Sequence, residues 1–388
     1  MAATTSRTCA MPFSIGVDEN ALADLRSRIV ATRWPSEVPD IGWKQGTNLA
    51  YLKSLLRDWA NFDWRARERE LNRLAQFRLR VDGVEIHFVH QRARDRRGIP
   101  LILTHGWPSA WLEFVGLIPL LTDPPAHGIP GPSFDLIVPS LPGYGFSERP
   151  LRTGVTMRYV AGLWHQLMRE IGYDRYAAHG TDFGSAVATF MALQDPGSMI
   201  GIHLSNLDLS PDTGHGAPPL SDAERAYLDR RQRWDDVERG YSSIQSTKPQ
   251  TLAYALTDSP AGLAAWLLEK WRSWSDSGGD LDACISREFL LTLLTVYWVT
   301  STMASSVRDY YDNRWFNDPI APNERVTVPT GVALFANEFL AEGTPPREWA
   351  ERLYDVRRWT PMPRGGHFAA VEEPDLLARD IAAFFAEL

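Results

Sequence analysis

The sequence contains little cysteine. Its 388 residues include two cysteines, Cys9 in a polar N-terminal segment and Cys284 far along the chain. Two distant cysteines exclude a disulfide framework and a cysteine-based metal site. Because reduced cysteines are typical of the cytoplasm, we expect a cytoplasmic protein.

Positive charge is outweighed by negative charge. The 40 Lys and Arg residues face 48 Asp and Glu residues, which gives a formal net charge of −8 at pH 7. The chain thus lacks the basic field that attracts nucleic acids and anionic membranes. Its glycine-rich stretches do not have the spacing that binds nucleotide phosphates. We therefore expect no nucleic acid, no membrane and no cofactor as binding partners.

Long hydrophobic runs are missing as well. The longest run, Leu290 to Val299, has about half of the ~20 residues that a membrane-spanning helix needs. The N-terminal stretch MAATTSRTCAMPFSIG has no apolar centre of the kind that defines a secretory signal. These observations predict a soluble protein without a signal peptide.

Helical patterns open the chain. Apolar residues recur at helical spacing from residue 18 to 34, with Asp18 as the expected N-cap and Pro35 as the expected end, and again from residue 48 to about 61. The stretch FRLRVDGVEIHFVHQRA then alternates apolar and polar residues around Asp82-Gly83. This alternation predicts a β-hairpin with a tight turn.

The middle of the chain alternates between strand and helix patterns. Short apolar runs such as FDLIVPSLPG and YDRYAAHG are separated by the helical stretch VTMRYVAGLWHQLMREIG. This alternation predicts a mainly parallel sheet, whose ligands bind beyond the carboxyl ends of the strands. Residues 211 to about 325 interrupt it with a polar, tryptophan-rich and helical segment before strand patterns return. We interpret that segment as an insertion.

The stretch Gly180-Thr181-Asp182-Phe183-Gly184 places an aspartate between small residues at a strand-to-helix turn. A nucleophile elbow has this pattern, because its tight turn holds the central side chain in strained backbone geometry and requires small flanking residues. An aspartate that only caps the following helix would show the same local pattern. The turn alone therefore leaves both interpretations open.

Two further stretches follow in the order that α/β-hydrolases use, which is nucleophile, acid and histidine. The predicted strand TGVALFANE ends at Glu338, and RGGHFAAVEEP places His367 just after the last predicted strand. Glu342 is a rival for the acid and Asp208 a weaker one, and Glu338 is preferred because it lies nearer the strand end. This order favours Asp182 as a nucleophile and His367 as the base that activates water.

The residue types also indicate the chemistry. The loop LTHGWPSAW follows the first core strand, where we expect the backbone N–H groups of Trp107 and Phe183 to form an oxyanion hole. No G-x-S-x-G motif occurs in the chain, which disfavours an ordinary serine esterase. Because a carboxylate nucleophile suits displacement at a saturated carbon, the substrate should carry an epoxide or a carbon–halogen bond.

These motifs carry a family resemblance. Together with PSLPGYGFSERP, DLRSRIVATRWP and GYSSIQSTKPQTLAYALTDSPAGLAAWLLEKW, they resemble the microsomal-type epoxide hydrolases almost from end to end. The chain is also similar to bacterial members that occur in enediyne antibiotic biosynthesis. Mammalian members carry an N-terminal membrane anchor, and we expect none here. The resemblance implies an α/β-hydrolase fold in four parts: an N-terminal extension (1–95), a first core part (96–210), a helical lid (211–325) and a second core part (326–388).

The resemblance further implies two lid tyrosines that protonate the opening epoxide, and these match Tyr241 and Tyr310. A phenol, with a reference pKa of about 10, is neutral near pH 7 and can donate that proton. Tyr311 is an adjacent alternative to Tyr310. A haloalkane dehalogenase typically has an indole directly after the nucleophile, where this chain has Phe183. Since Trp107 could supply one N–H donor, that activity stays open as an alternative.

We therefore predict a cofactor-independent epoxide hydrolase that converts an epoxide to a vicinal diol. Its lid tryptophans, Trp266, Trp271 and Trp274, are expected mainly in the core, and some could line a pocket for a bulky aromatic or natural-product epoxide. A non-catalytic ligand-binding homologue is disfavoured because nucleophile, acid and base all have candidates. The N-terminal helices and the tryptophan-rich exterior are compatible with a homodimer.

Overall fold

A nine-stranded sheet forms the centre of the part of the chain that the computed structural model describes, which is residues 10–214, 216–316, 319–322, 324–338 and 344–388. The strand order across the sheet is β1-β2-β3-β5-β4-β6-β7-β8-β9. The strands are β1 (Met11–Pro12), β2 (Gln76–Val81), β3 (Val84–Gln91), β4 (Ile99–Thr104), β5 (Phe134–Pro139), β6 (Tyr176–Gly180), β7 (Met199–Leu204), β8 (Val326–Leu334) and β9 (Tyr354–Pro361).

The sheet is mainly parallel, as the sequence predicts. Strands β1, β2, β3 and β5 pair antiparallel, and every pairing from β5 across to β9 is parallel. All residues of β5 and β6 are buried, which is typical of parallel strands covered by helices on both faces. The predicted hairpin is confirmed: β2 and β3 pair across Asp82-Gly83, and both turn residues have positive φ angles.

Fifteen α-helices accompany the sheet within the described ranges. They are α1 (Glu19–Val30), α2 (Leu49–Ala60), α3 (Trp64–Leu71), α4 (Leu117–Thr122), α5 (Met157–Glu170), α6 (Phe183–Gln194), α7 (Asp222–Glu238), α8 (Gly240–Gln245), α9 (Pro249–Asp258), α10 (Pro260–Trp274), α11 (Arg287–Thr300), α12 (Met303–Trp315), α13 (Arg347–Glu351), α14 (Ala369–Glu372) and α15 (Pro374–Phe385).

The N-cap predicted for α1 is confirmed, and the predicted end of that helix is corrected. Asp18 caps α1 by accepting a hydrogen bond from the Asn20 N–H at 2.7 Å, and Asn48 caps α2 through the Tyr51 N–H. Helix α1 ends at Val30, before the expected stop at Pro35. The Thr32 hydroxyl donates to the carbonyl of Arg28, a local bond that competes with helix continuation.

The insertion between β7 and β8 contains α7 to α12 and forms a helical lid. Helix α7 begins with a capping box between Ser221 and Glu224. In the described ranges, no single helix has the length and apolar character of a membrane span, and only the bent pair of α11 and α12, at 86°, meets that test by length and composition. The four domain boundaries stay predictions.

Candidate active site

Asp182 lies at the sharp turn between β6 and α6. Its backbone adopts φ +52° and ψ −129°, a conformation that costs energy for any residue other than glycine. The turn is closely packed. A Cβ atom at Gly184 would lie 1.9 Å from the carbonyl oxygen of Thr104, and a Cβ atom at Gly180 would lie 2.0 Å from the carbonyl oxygen of Gly184. The two flanking glycines therefore allow the elbow geometry.

Backbone and side-chain groups hold the Asp182 carboxylate and its main chain. The Trp107 N–H donates to Asp182 Oδ1 at 2.9 Å, and the Asp182 N–H donates to Asn206 Oδ1 at 2.8 Å. The two oxyanion-hole candidates, which both lie in the described ranges, therefore differ. The Trp107 N–H donates a hydrogen bond to the Asp182 carboxylate, whereas the Phe183 N–H makes no hydrogen bond to it. A Cβ atom at Gly106 would lie 2.1 Å from Asp182 Oδ1, so glycine is needed there too.

The base and the acid candidates meet beside this carboxylate. His367 Nε2 is 3.4 Å from Asp182 Oδ2, and His367 Nδ1 is 2.7 Å from Glu338 Oε1. Glu338 follows the end of β8 and His367 lies in the loop after β9, so both are at the carboxyl edge of the parallel strands. Glu342, the rival acid, lies outside the described residues, and Asp208 lines the cavity instead.

Electrostatics favour a protonated His367 while Asp182 is ionised. Burial disfavours the imidazolium, but the charge of Glu338 and the hydrogen bonds to Asp182 and Glu338 outweigh it and raise the His367 pKa well above its usual value.

Two lid helices bring the predicted tyrosines opposite Asp182. Tyr241 in α8 stacks on the Trp107 ring at a centroid distance of 5.4 Å, and Tyr310 in α12 contacts the same ring edge-on at 5.6 Å. The two phenol rings are 5.8 Å apart. Burial is the main cause that raises the pKa of both phenols, which keeps them protonated. The charge of Asp182 adds to the effect at Tyr241, and the neighbouring Tyr241 and then Asp182 add to it at Tyr310. The ring of Tyr311 instead contacts Trp315 and Phe316.

Asp182 and the two lid tyrosines face a cavity of about 640 Å³, a volume within the range of small-molecule binding sites. Its wall includes Asp182, Phe183, Tyr241 and Tyr310, and also Arg231 of α7. Trp271 and Trp274 are buried in the lid core, as expected, and Trp274 also packs edge-on against His367 at 5.3 Å. Trp266 is half-buried and donates to Gln245.

Asn206 and Gly106 are site residues that the sequence reasoning missed. Asn206 accepts from both the Asp182 N–H and the Ser185 hydroxyl. Its position just beyond β7, at the carboxyl edge of the sheet, is the signal that could have identified it. Among the described residues, no group of three or more His, Cys, Asp or Glu side chains could hold a metal ion.

Protein-family models match most of the chain. The model described as "Epoxide hydrolase N terminus" matches residues 10–114, and the model described as "alpha/beta hydrolase fold" matches residues 99–275. Together they cover the N-terminal extension, the elbow and the first half of the lid.

Individual relatives match over nearly their full length. Epoxide hydrolase 1 of Sus scrofa is 37% identical to this chain, and the match covers 97% of this chain and 88% of the relative. A Stigmatella aurantiaca protein whose name also refers to epoxide hydrolase is 41% identical, and the match covers 97% of this chain and 85% of the relative. The solved structure of juvenile hormone epoxide hydrolase from Bombyx mori has a TM-score of 0.88 and 30% identity, covering 98% of this chain and 95% of that one. An Aspergillus niger epoxide hydrolase structure has a TM-score of 0.84 and 27% identity, covering 99% and 98%. The chain therefore belongs to the microsomal-type epoxide hydrolase family.

Proposed function

We propose that the protein hydrolyses an epoxide to a vicinal diol through an ester on Asp182. The observation that carries this proposal is the Asp182 carboxylate at a strained elbow, with its Oδ2 atom 3.4 Å from His367 Nε2. The other ring nitrogen of His367 is hydrogen-bonded to Glu338. In the first step an Asp182 oxygen attacks a ring carbon, a C–O bond forms, and the ring C–O bond breaks. Tyr241 and Tyr310 face the cavity in protonated form and supply the proton that the new alkoxide takes up.

The second step hydrolyses the ester. Alkylation removes the negative charge of Asp182, which is one cause of the raised His367 pKa, so the imidazole loses its proton more readily in the ester than in the free enzyme. Neutral His367 then takes a proton from water, and the hydroxide attacks the ester carbonyl. The Trp107 and Phe183 N–H groups are the proposed donors to the tetrahedral oxyanion. As this intermediate collapses, the C–O bond to the substrate breaks, and the His367 imidazolium returns its proton to the leaving oxygen, which releases the diol.

The substrate that we propose is a bulky epoxide. The 640 Å³ cavity, whose wall includes the rings of Phe183, Tyr241 and Tyr310, suits an aromatic or natural-product substrate. The names of the relatives include juvenile hormone epoxide hydrolases, which are named for one such natural epoxide. A cytoplasmic location, a role in antibiotic biosynthesis and a homodimer stay predictions, and light scattering of the purified protein tests the last of them.

A haloalkane dehalogenase is the second candidate. One observation favours it: the indole N–H of Trp107 is buried and has no hydrogen-bond partner among the described residues, so it is a donor available to a halide. The residue after the nucleophile, Phe183, has no N–H group in its side chain. Halide release from chloro- and bromoalkanes, without diol formation from epoxides, would favour this activity.

A single turnover in ¹⁸O-water tests the proposed route. Enzyme in excess over a styrene-oxide-like substrate should release a first diol that carries ¹⁶O and leave ¹⁸O in the Asp182 carboxylate, as mass spectrometry of the diol and the peptide would show. His367→Gln should stop at the ester and is the matched control. A labelled first diol with an unlabelled Asp182 peptide would mean direct attack by water and would exclude the ester.

A further inference from the structure

The loop that carries His367 is held by an unusual set of hydrogen bonds. Four consecutive backbone N–H groups between β9 and α14 each donate to an acceptor, although the loop has no regular secondary structure. The bonds are Gly365 N–H to Asp276 Oδ2 (3.0 Å), Gly366 N–H to Glu372 Oε2 (3.1 Å), His367 N–H to the Trp274 carbonyl (2.8 Å) and Phe368 N–H to Glu372 Oε1 (3.0 Å).

Glu372 is the centre of this set. Its two oxygens accept from the residues on either side of His367, and Oε2 also accepts from the Asp276 N–H at 2.6 Å. One carboxylate therefore ties the loop of the base to the lid segment that follows α10. Burial raises the Glu372 pKa to about 7, although the three N–H donors and the charge of His367 favour the ionised form.

The lid and the loop approach each other too closely for side chains. A Cβ atom at Gly366 would lie 2.6 Å from the Trp274 carbonyl oxygen and 2.8 Å from the Asp276 nitrogen. Gly365 has φ +94°, a conformation that favours glycine. The loop path next to His367 is thus fixed by the lid on one side and by Glu372 on the other.

A purely local role does not explain these bonds. If Glu372 only capped the short helix α14, its bond to the Phe368 N–H would be sufficient. The bonds to Gly366 and Asp276 lie outside that helix. The neighbouring carboxylate, Glu373, makes the more ordinary contact, an ion pair with Arg364 at the surface.

We propose that Glu372 is a positioning residue that sets His367 for the hydrolysis of the Asp182 ester. The inference rests on the proposed function. His367 acts in the second step, whereas the first step uses Asp182 and the two lid tyrosines. Displacement of the loop should therefore slow ester hydrolysis and leave ester formation largely unchanged, a separation that a general loss of stability would not produce.

Glu372→Gln tests this proposal with little change in size. The amide keeps one acceptor oxygen but turns an NH₂ group toward backbone donors. In rapid-quench single turnovers with a styrene-oxide-like epoxide, we expect ester hydrolysis to fall by about 10- to 100-fold, because small displacements of a catalytic group have effects of this size. The rate of ester formation should stay within about twofold, and intact-protein mass spectra should show the ester accumulating.

Glu373→Gln is the matched control, since it neutralises the adjacent carboxylate without touching the four N–H groups, and both of its rates should match the wild type. If Glu372→Gln does not fold, Asp276→Ala, which removes the acceptor of the Gly365 N–H, should give the same accumulation in weaker form. Unchanged hydrolysis, or equal losses in both steps, would overturn the positioning role. A wild type that never forms the ester would instead overturn the proposed function itself.

Discussion

At the scale of single residues, the geometry of Asp182 depends on neighbours that lack side chains. Gly106, Gly180 and Gly184 all stand where a Cβ atom would lie within about 2 Å of an atom of the elbow or of the adjacent strand β4. The strained φ of +52° is maintained because β4, β6 and α6 pack directly around it. The position of the nucleophile is therefore a property of the backbone.

Gly184→Ala should destabilise the protein by about 3 kcal/mol or more, because the new methyl group would overlap the Thr104 carbonyl. Urea unfolding measures the change. Gly162→Ala is the matched control: Gly162 lies inside α5 and its Cβ atom would meet only a side-chain oxygen of Gln194 at 3.8 Å, so this substitution should stabilise by about 0.5–1 kcal/mol. Equal effects of the two substitutions would refute the close packing of the elbow.

The charge of His367 gives a prediction about Glu338. Burial opposes protonation of His367, and the negative charge of Glu338 is the largest effect that favours it. Glu338→Gln should therefore lower the His367 pKa. The rate of ester hydrolysis should then reach its plateau at lower pH. The plateau rate itself should be lower, because the imidazolium that forms during the step loses its carboxylate partner. Single-turnover rates between pH 5 and 10 measure both effects, and an unshifted pH profile would argue against the pairing.

The same pair links stability to pH. The folded pKa of His367 is raised above the unfolded value of about 6.5, so its contribution to the free energy of unfolding is fully present below that value. The contribution is lost as pH rises through the folded pKa. The difference in unfolding free energy between wild type and His367→Gln should therefore decrease from pH 6 upward. A difference that grows with pH would contradict the raised pKa.

At the scale of secondary-structure elements, two lid helices each contribute one of the proposed proton donors. Tyr241→Phe and Tyr310→Phe should each slow ester formation by about tenfold, and the double variant by 10² or more, since general acids contribute 10²–10⁴. Tyr311→Phe is the control because its ring packs against Trp315 and Phe316. Rapid-quench measurements of ester formation check the series. Slow ester formation in Tyr311→Phe would indicate that Tyr311, and not Tyr310, is the donor.

Elements with strong local patterns could be predicted from the sequence, and contacts between distant segments could not. The hairpin at Asp82-Gly83 and the mainly parallel sheet follow from alternation and turn residues. Helix α3 was missed because its sequence, WRAREREL, is highly charged and its buried residues are few. Asn206 and Glu372 were missed because their roles arise from hydrogen bonds to residues far away in the sequence.

At the scale of the whole molecule, the N-terminal extension packs against the lid. Arg287 of α11 pairs with Asp58 of α2, and the Tyr51 hydroxyl donates to Asp282 at 2.8 Å. The most buried of these contacts is between the Trp59 indole N–H and the Thr295 hydroxyl, also at 2.8 Å. The lid is therefore supported by residues of the extension as well as by the core.

Thr295→Val should destabilise the protein by about 1–3 kcal/mol, because it leaves the buried Trp59 N–H without an acceptor. Thr251→Val, at an exposed position in α9, is the control and should change the unfolding free energy by about 0.5 kcal/mol at most. Urea denaturation compares them. Equal stability of the two variants would mean that the contact between extension and lid contributes little.

The order of the site residues along the chain has a consequence for biosynthesis. Asp182 follows the interior strand β6, the two tyrosines lie in the lid, and His367 follows the edge strand β9. The ribosome therefore makes the nucleophile first, the proposed proton donors next and the base last. Repeated turnover therefore requires that β9, the last strand to be synthesised, has joined the edge of the sheet, because the loop after it carries the base.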